Sequence, residues 1–177
     1  IRLSRSDIVR VLLEREESRQ LIEDIDKQKN NILHLIALYS NSSEIPNLLI
    51  NYLLEKSISI QEKFDRDNED HRTPLQLSVC ENNLSVMKIL LKHLNTNVHD
   101  TKNRTGDNLV HLAIRYGNLE MVQYLLEEGQ LNQQGKQSNF TMTPSELAQS
   151  LKRDDIVNYL KTMYPNEVDD DEDSNSD

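Results

Sequence analysis

Apolar and polar positions alternate along this chain in short helical stripes divided by polar turns, and the division recurs. The stretch Thr105 to Gly129, TGDNLVHLAIRYGNLEMVQYLLEEG, reads as two short antiparallel helices behind a turn. Its first half aligns with Asn31-Ile32-Leu33-His34-Leu35-Ile36, Thr73-Pro74-Leu75-Gln76-Leu77-Ser78 and Thr143-Pro144-Ser145-Glu146-Leu147-Ala148. The copies at Thr73, Asn108 and Thr143 begin 35 residues apart, and the one at Asn31 begins 42 before Thr73. Its second half aligns with SVMKILLKH, EMVQYLLEE and DIVNYLKTM. Self-similarity at this period predicts stacked supersecondary units, each a turn and two helices.

Taken in order, Ser6 to Leu13 repeats the second-helix motif, with Ser6 expected as an N-cap. Residues 1–30 thus form a partial first repeat or cap, exposed on one side. Repeats starting near 31, 66, 101 and 136 then fill 31–164. In the first of them Pro46 suits an opening helical turn, where its missing N–H costs nothing. Lys56 to Asp70 reads as a longer charged connection and accounts for the 42-residue step. Gly106 and Gly117 stand where a turn and an interhelix corner call for positive φ, Gly129 where a helix closes. His71 and Asn82 hold matching places in the copy before. Leu33, Leu35, Leu75, Leu77, Val110, Leu112, Leu125 and Leu126 are the expected buried positions. The last copy carries polar residues on its outer face, as a terminal repeat requires.

Composition agrees with thin layers rather than one central core. Hydrophobic residues make up 36%, with no Trp and two Phe. No run approaches the length of a membrane span. The net charge of −10 is uneven: Glu167–Asp177 holds seven acids and no base, leaving −3 for residues 1–166. Residues 165–177 therefore read as a disordered acidic tail. Without clustered Lys and Arg, direct nucleic-acid binding is not expected. Cys80 is the sole cysteine, so no intrachain disulfide can form and a reducing compartment is indicated.

The search for chemistry returns little. No phosphate loop, HExxH or GxSxG is present, and four glycines supply no nucleotide cradle. His71, His93 and His99 show no metal-ligand spacing. Cys80 lies beside no base in a fixed local pattern, which gives an ordinary thiol rather than a nucleophile. The chain reads as a non-enzyme without cofactor or metal, a monomer when unbound, cytoplasmic and also nuclear. Ser174, three residues before Asp177, fits an acid-directed kinase site.

These motifs resemble the T-P-L-H-x-A and I-V-x-x-L-L signatures of the ankyrin-repeat family. The resemblance implies an all-α solenoid of stacked helix-turn-helix units, with His34 and His111 in structural roles. It also implies a concave protein-binding face along the turn tips and first-helix ends. By register, Glu69, Asp70, Arg72, Arg104, Asp107, Phe140 and Met142 would lie at tips, and Tyr39, Arg115 and Tyr116 at helix ends. The drawn-out step before HRTPLQLSVCENN, the copy TKNRTGDNLVHLAIRYGN after it and the acidic tail resemble inhibitor-of-κB (IκB) ankyrin proteins. That would imply binding a Rel/NF-κB dimer and blocking its DNA contact or nuclear entry. The D-S-G-x-x-S degron of regulated inhibitors is missing, since Asp173-Ser174-Asn175-Ser176 lacks the glycine and lies at the other end; either an N-terminal part was removed or the chain is a short constitutive inhibitor resembling viral ankyrin proteins. The alternatives are an ankyrin adaptor for another protein and a targeting fragment of a larger multidomain protein.

Overall fold

The structure is a computed structural model that describes residues 5–15, 17–56, 58, 60–93, 103, 106–127 and 142–165. Every regular element among the described residues is a helix, as the all-α ankyrin-type expectation requires. The chain divides into two compact units, Ile1–Val98 and His99–Asp177. The first contains α1 (Arg5–Leu13), α2 (Ser18–Glu23), α3 (Ile32–Tyr39), α4 (Glu44–Glu55), α5 (Ile60–Asp65), α6 (Pro74–Cys80) and α7 (Leu84–His93). The second contains α8 (Leu109–Tyr116), α9 (Leu119–Glu127), α10 (Pro144–Ser150) and α11 (Asp154–Met163). Arg104, Gly129, Phe140, Ser174, His99 and the expected tail from residue 166 onward lie outside the described residues.

The repeated motif starts each first helix with a side-chain cap. Asn31 Oδ1 accepts from the Leu33 and His34 amides, and Asn108 Oδ1 accepts from that of His111. Thr73 and Thr143 accept from the amides of Gln76 and Glu146, whose own side chains accept from the threonine N–H. Each box satisfies two donors that a helix start would otherwise leave open, and Pro74 and Pro144 stand where no N–H is needed.

Within the first unit α6 packs on α3 and α7, and in the second α10 packs on α8 and α11. Leu33, Leu75, Leu77, Val86 and Met87 fill the layers of the first; Val110, Leu112, Met121, Leu125 and Leu147 fill those of the second. Of the expected core positions only Leu35 is half-buried rather than buried. Ser6 lies inside α1 and is itself buried, so it is not the N-cap expected of it.

Lys56–Asp70 is not simply a connection. Six of its residues form α5, which packs on α4 and α6 through the buried Phe64, with Ile58 also buried. A helix this short shows no period in a charge-rich sequence, and its stability comes from docking. The Lys63 carbonyl accepts from Asn31 Nδ2 at 2.8 Å, and its ammonium meets Glu23 at 2.7 Å, which ties the insertion to the first repeats.

Buried polar groups join neighbouring repeats at fixed register. His34 Nε2 reaches the Arg72 carbonyl at 2.9 Å, and His111 Nε2 reaches that of Met142 at 3.1 Å. Each carbonyl belongs to the residue just before the next threonine cap. The Asn31 N–H also lies 3.2 Å from His34 Nδ1, so accepting there leaves Nε2–H to donate to Arg72. Burial is the main reason both imidazoles titrate below the ordinary value of 6.5, although the carbonyl contacts and nearby Asp67 and Asp26, or Asp107, oppose it.

Truncating Leu112 or Leu125 to Ala should cost about 2–5 kcal/mol in urea unfolding, because each leaves a cavity between layers. A loss under about 1 kcal/mol would show that the site is not packed as described. The histidines give a pH signature. Their folded pKa values are lowered, so the stability they add is present above about 6.5 and is lost as pH falls below it. The variant His34→Gln/His111→Gln uses the residue already present at Gln76. It should therefore lose less stability than the parent between pH 7.5 and 5.5; equal losses would place the pH dependence elsewhere.

Candidate protein-interaction site

The turns before α3, α6 and α8 are each built from main chain plus one polar side chain. Asp26 and Asn30, Asn68 and Arg72, and Asn103 and Asp107 each pair amide to carbonyl at 3.0 Å. The fourth residue of each turn has positive φ: Lys29 at 61°, His71 at 58° and Gly106 at 83°. A three-residue loop with its last member in the left-handed region closes in this way, and only Gly106 does so without side-chain cost. Asp26 accepts from the amides of Gln28 and Asn30 and from Asn30 Nδ2. The Asn30 side chain is the first cause of its lowered pKa.

Adjacent tips in the first unit are also joined. Asn68 Nδ2 donates to Asn30 Oδ1 at 2.9 Å, and the Glu69 amide donates to the Gln28 carbonyl at 2.8 Å. Glu69 and Asp70 consequently project from a braced loop with their side chains exposed. Arg72 is half-buried beneath them, its carbonyl taken by His34.

The corners between first and second helices follow a second rule. Asn83 Nδ2 donates to the carbonyls of Ala37 and Ser40, at the end of the preceding first helix, at 3.1 and 2.6 Å. In the second unit Arg153 does the same for Ile114 and Gly117 at 2.9 and 3.1 Å. Orphan carbonyls at a helix end are thereby satisfied from the next repeat. Asn82 and Lys152 turn these corners with φ of 52° and 54°. Gly117 does not: its φ is −84°, correcting the expectation of a positive value. The glycine is needed for space, since a Cβ there would lie 2.9 Å from the Ala113 carbonyl oxygen.

Tyr39, at the end of α3, is 78% exposed, and Tyr116, at the end of α8, is 50% exposed. Leu151, one register step beyond Tyr116, is 41% exposed and Met142 is 43% exposed. Leu151 lies outside the set of binding residues selected from the sequence. Asp107 differs from the other expected tip residues: it is buried, and its carboxylate holds Arg115 Nε at 3.2 Å. That pair orients the Arg115 guanidinium beside Tyr116 in sequence. Among the described residues no group of His, Cys, Asp or Glu could hold a metal. His93 is the last residue of α7. No described helix is long and apolar enough to cross a membrane.

Comparison with known proteins places the repeat in a family. Residues 1–102 and 93–171 match the profile for ankyrin repeats in three copies. An ankyrin repeat protein of Rickettsia felis is 28% identical over 107 residues, which are 60% of this chain and 27% of that protein. Alpha-latrotoxin-Lg1a of Latrodectus geometricus is 27% identical over 100 residues, 56% of this chain and 7% of the toxin. The chain thus spans about a quarter or less of these relatives' length. With nearly the whole sequence matched and the helix-turn-helix stacking present in each unit, the chain belongs to the ankyrin-repeat family, whose repeats are non-catalytic protein-interaction modules.

Proposed function

We propose that the chain binds its partner through the turn tips and first-helix ends, and that the partner is a Rel/NF-κB dimer held in the manner of an IκB-like inhibitor. The observation that carries the surface is the exposure of Tyr39 and Tyr116 at corresponding ends of first helices. Exposed aromatic rings are costly to leave in water and are the side chains that anchor protein interfaces. Glu69 and Asp70 at an exposed tip of the first unit, and Arg115 next to Tyr116 in the second, supply charge to the proposed set. Phe140 and Arg104 belong to the same proposed set by register, and Ser174 is the proposed phosphorylation site.

The Rel assignment rests on resemblance: the lengthened step before His71, the two regular copies after it and the acidic residues of 167–177. Clustered carboxylates can compete for a surface built to receive phosphates. An adaptor function on the same residues is the second reading, supported by family membership alone.

Purified chain mixed with a Rel/NF-κB dimer should form a complex measurable by biolayer interferometry. Tyr39→Ala and Tyr116→Ala should each weaken it by about 1–3 kcal/mol, mainly through faster dissociation. A complex that ignores both changes would move the interface elsewhere. Absence of any complex would replace the inhibitor reading with the adaptor.

A further inference from the structure

Arg115 differs from the other described residues of the proposed interface in being held from behind by a buried carboxylate. Its Nε donates to Asp107 Oδ2 at 3.2 Å, and the two side chains are 36% and 5% exposed. Helical side chains lean toward the N-terminus, so Arg115 reaches back along α8 to the residue just before its cap. Both charges act on the His111 ring between them. Among the described residues Arg115 makes no other hydrogen bond or ion pair. Nη1 and Nη2 therefore lack a protein acceptor while the guanidinium is held in one place.

The fold itself does not require this pair. The matching positions of the other copies hold Asn30 and Leu38, Arg72 and Cys80, and Met142 and Ser150, and none of these couples an acid to a base. An ion pair this exposed also adds little stability. What it fixes is direction. Tyr116 follows Arg115 on α8, and Met142, whose carbonyl His111 takes, opens the next repeat; they are 50% and 43% exposed. Glu146 on α10 is occupied as an acceptor from the Thr143 amide, and Arg153 as a donor to the Ile114 and Gly117 carbonyls. Apolar surface around a half-exposed guanidinium excludes water once it is covered, which strengthens the bonds made there.

We propose that Arg115, positioned by Asp107, recognises a carboxylate side chain of the partner through Nη1 and Nη2. This recognition rests on the reading that tips and first-helix ends form the binding face, and adds a demand for Asp or Glu opposite α8. The Nη edge of a guanidinium matches the paired oxygens of a carboxylate. With Asp107 behind it the pair carries no net charge, which suits a singly charged carboxylate better than a phosphate of higher charge.

Two arms test this with the full chain, and the first needs no known partner. Short random peptides displayed on phage are selected on the parent and depleted on Arg115→Ala. Peptides that need Arg115 should be enriched in Asp or Glu. Changing that acid to Asn or Gln should weaken them about tenfold on the parent, with no further loss on Arg115→Ala. In the second arm the partner is the Rel/NF-κB dimer. Arg115→Ala should weaken the complex about tenfold, and Arg115→Lys should restore little, because an ammonium has no planar fork. Asp107→Asn adds positive charge, so attraction by charge alone would tighten the complex, whereas lost positioning should weaken it. If Asp107→Asn lowers the melting temperature, Arg115→Lys, an exposed change, decides instead. The inference is overturned by finding no Arg115-dependent peptide, or none enriched in acid. Full rescue by Lys or a tighter Asp107→Asn complex would overturn it too. A complex indifferent to Arg115→Ala would also do so while leaving the binding face to Tyr39 and Tyr116. Absence of any complex defeats the Rel reading alone, and the peptides still decide this one.

Discussion

Hydrogen bonds from buried or half-buried side chains in one repeat to main-chain carbonyls in its neighbour are the constraint on which the rest of each unit depends. Apolar layers supply most of the stabilisation, at about 1.5–3 kcal/mol for each fully buried aliphatic side chain, but they are tolerant of sliding and rotation. A carbonyl at a helix end is not. It must find a donor, and for Ala37 and Ser40 at the end of α3 that donor is Asn83 of the following repeat, while His34 reaches forward to the Arg72 carbonyl, which also accepts from the Asn68 amide. Arg153 repeats the backward link in the second unit at the corresponding offset. Because a mis-stacked layer would leave these groups buried and unpaired, the bonds select one register even where they add little net stability.

That register determines what the surface can be. With the second helices and the inner sides of the first helices committed to packing, the free ends of α3 and α8 carry Tyr39 and Tyr116 into solvent. The tips are braced by their own main chain, so Glu69 and Asp70 are presented on a rigid loop at small entropic cost on binding. In the first unit this brace is doubled by the bond between Asn68 and Asn30. The inserted α5 is held by Phe64 and the Lys63–Glu23 pair without disturbing it.

The sequence revealed this fold through spacing, since a motif that recurs every 35 residues is legible without knowing any contact. The caps Asn31, Thr73, Asn108 and Thr143 open each copy of the motif and each precede a helix by one residue, although the sequence reading named only Ser6 as a cap. What escaped were features with no period. α5 is too short to show one, and Ser6 looked like a cap because it precedes an apolar run. Gly117 was read as conformational when its role is steric, a distinction only the neighbouring Ala113 carbonyl reveals. Asp107 sits at a tip position in the alignment, yet its burial follows from Arg115, eight residues away, which no local pattern announces.

Equilibrium urea unfolding of Asn83→Ala and Arg153→Ala, with the exposed Lys161→Ala as control, tests the dependence on inter-repeat hydrogen bonds most directly. Each of the first two removes a donor to two carbonyls of the preceding repeat and should lower stability by about 1–3 kcal/mol. Lys161→Ala should stay within about 0.5 kcal/mol of the parent. If Asn83→Ala and Arg153→Ala behaved like that control, the repeats would be held in register by apolar packing alone.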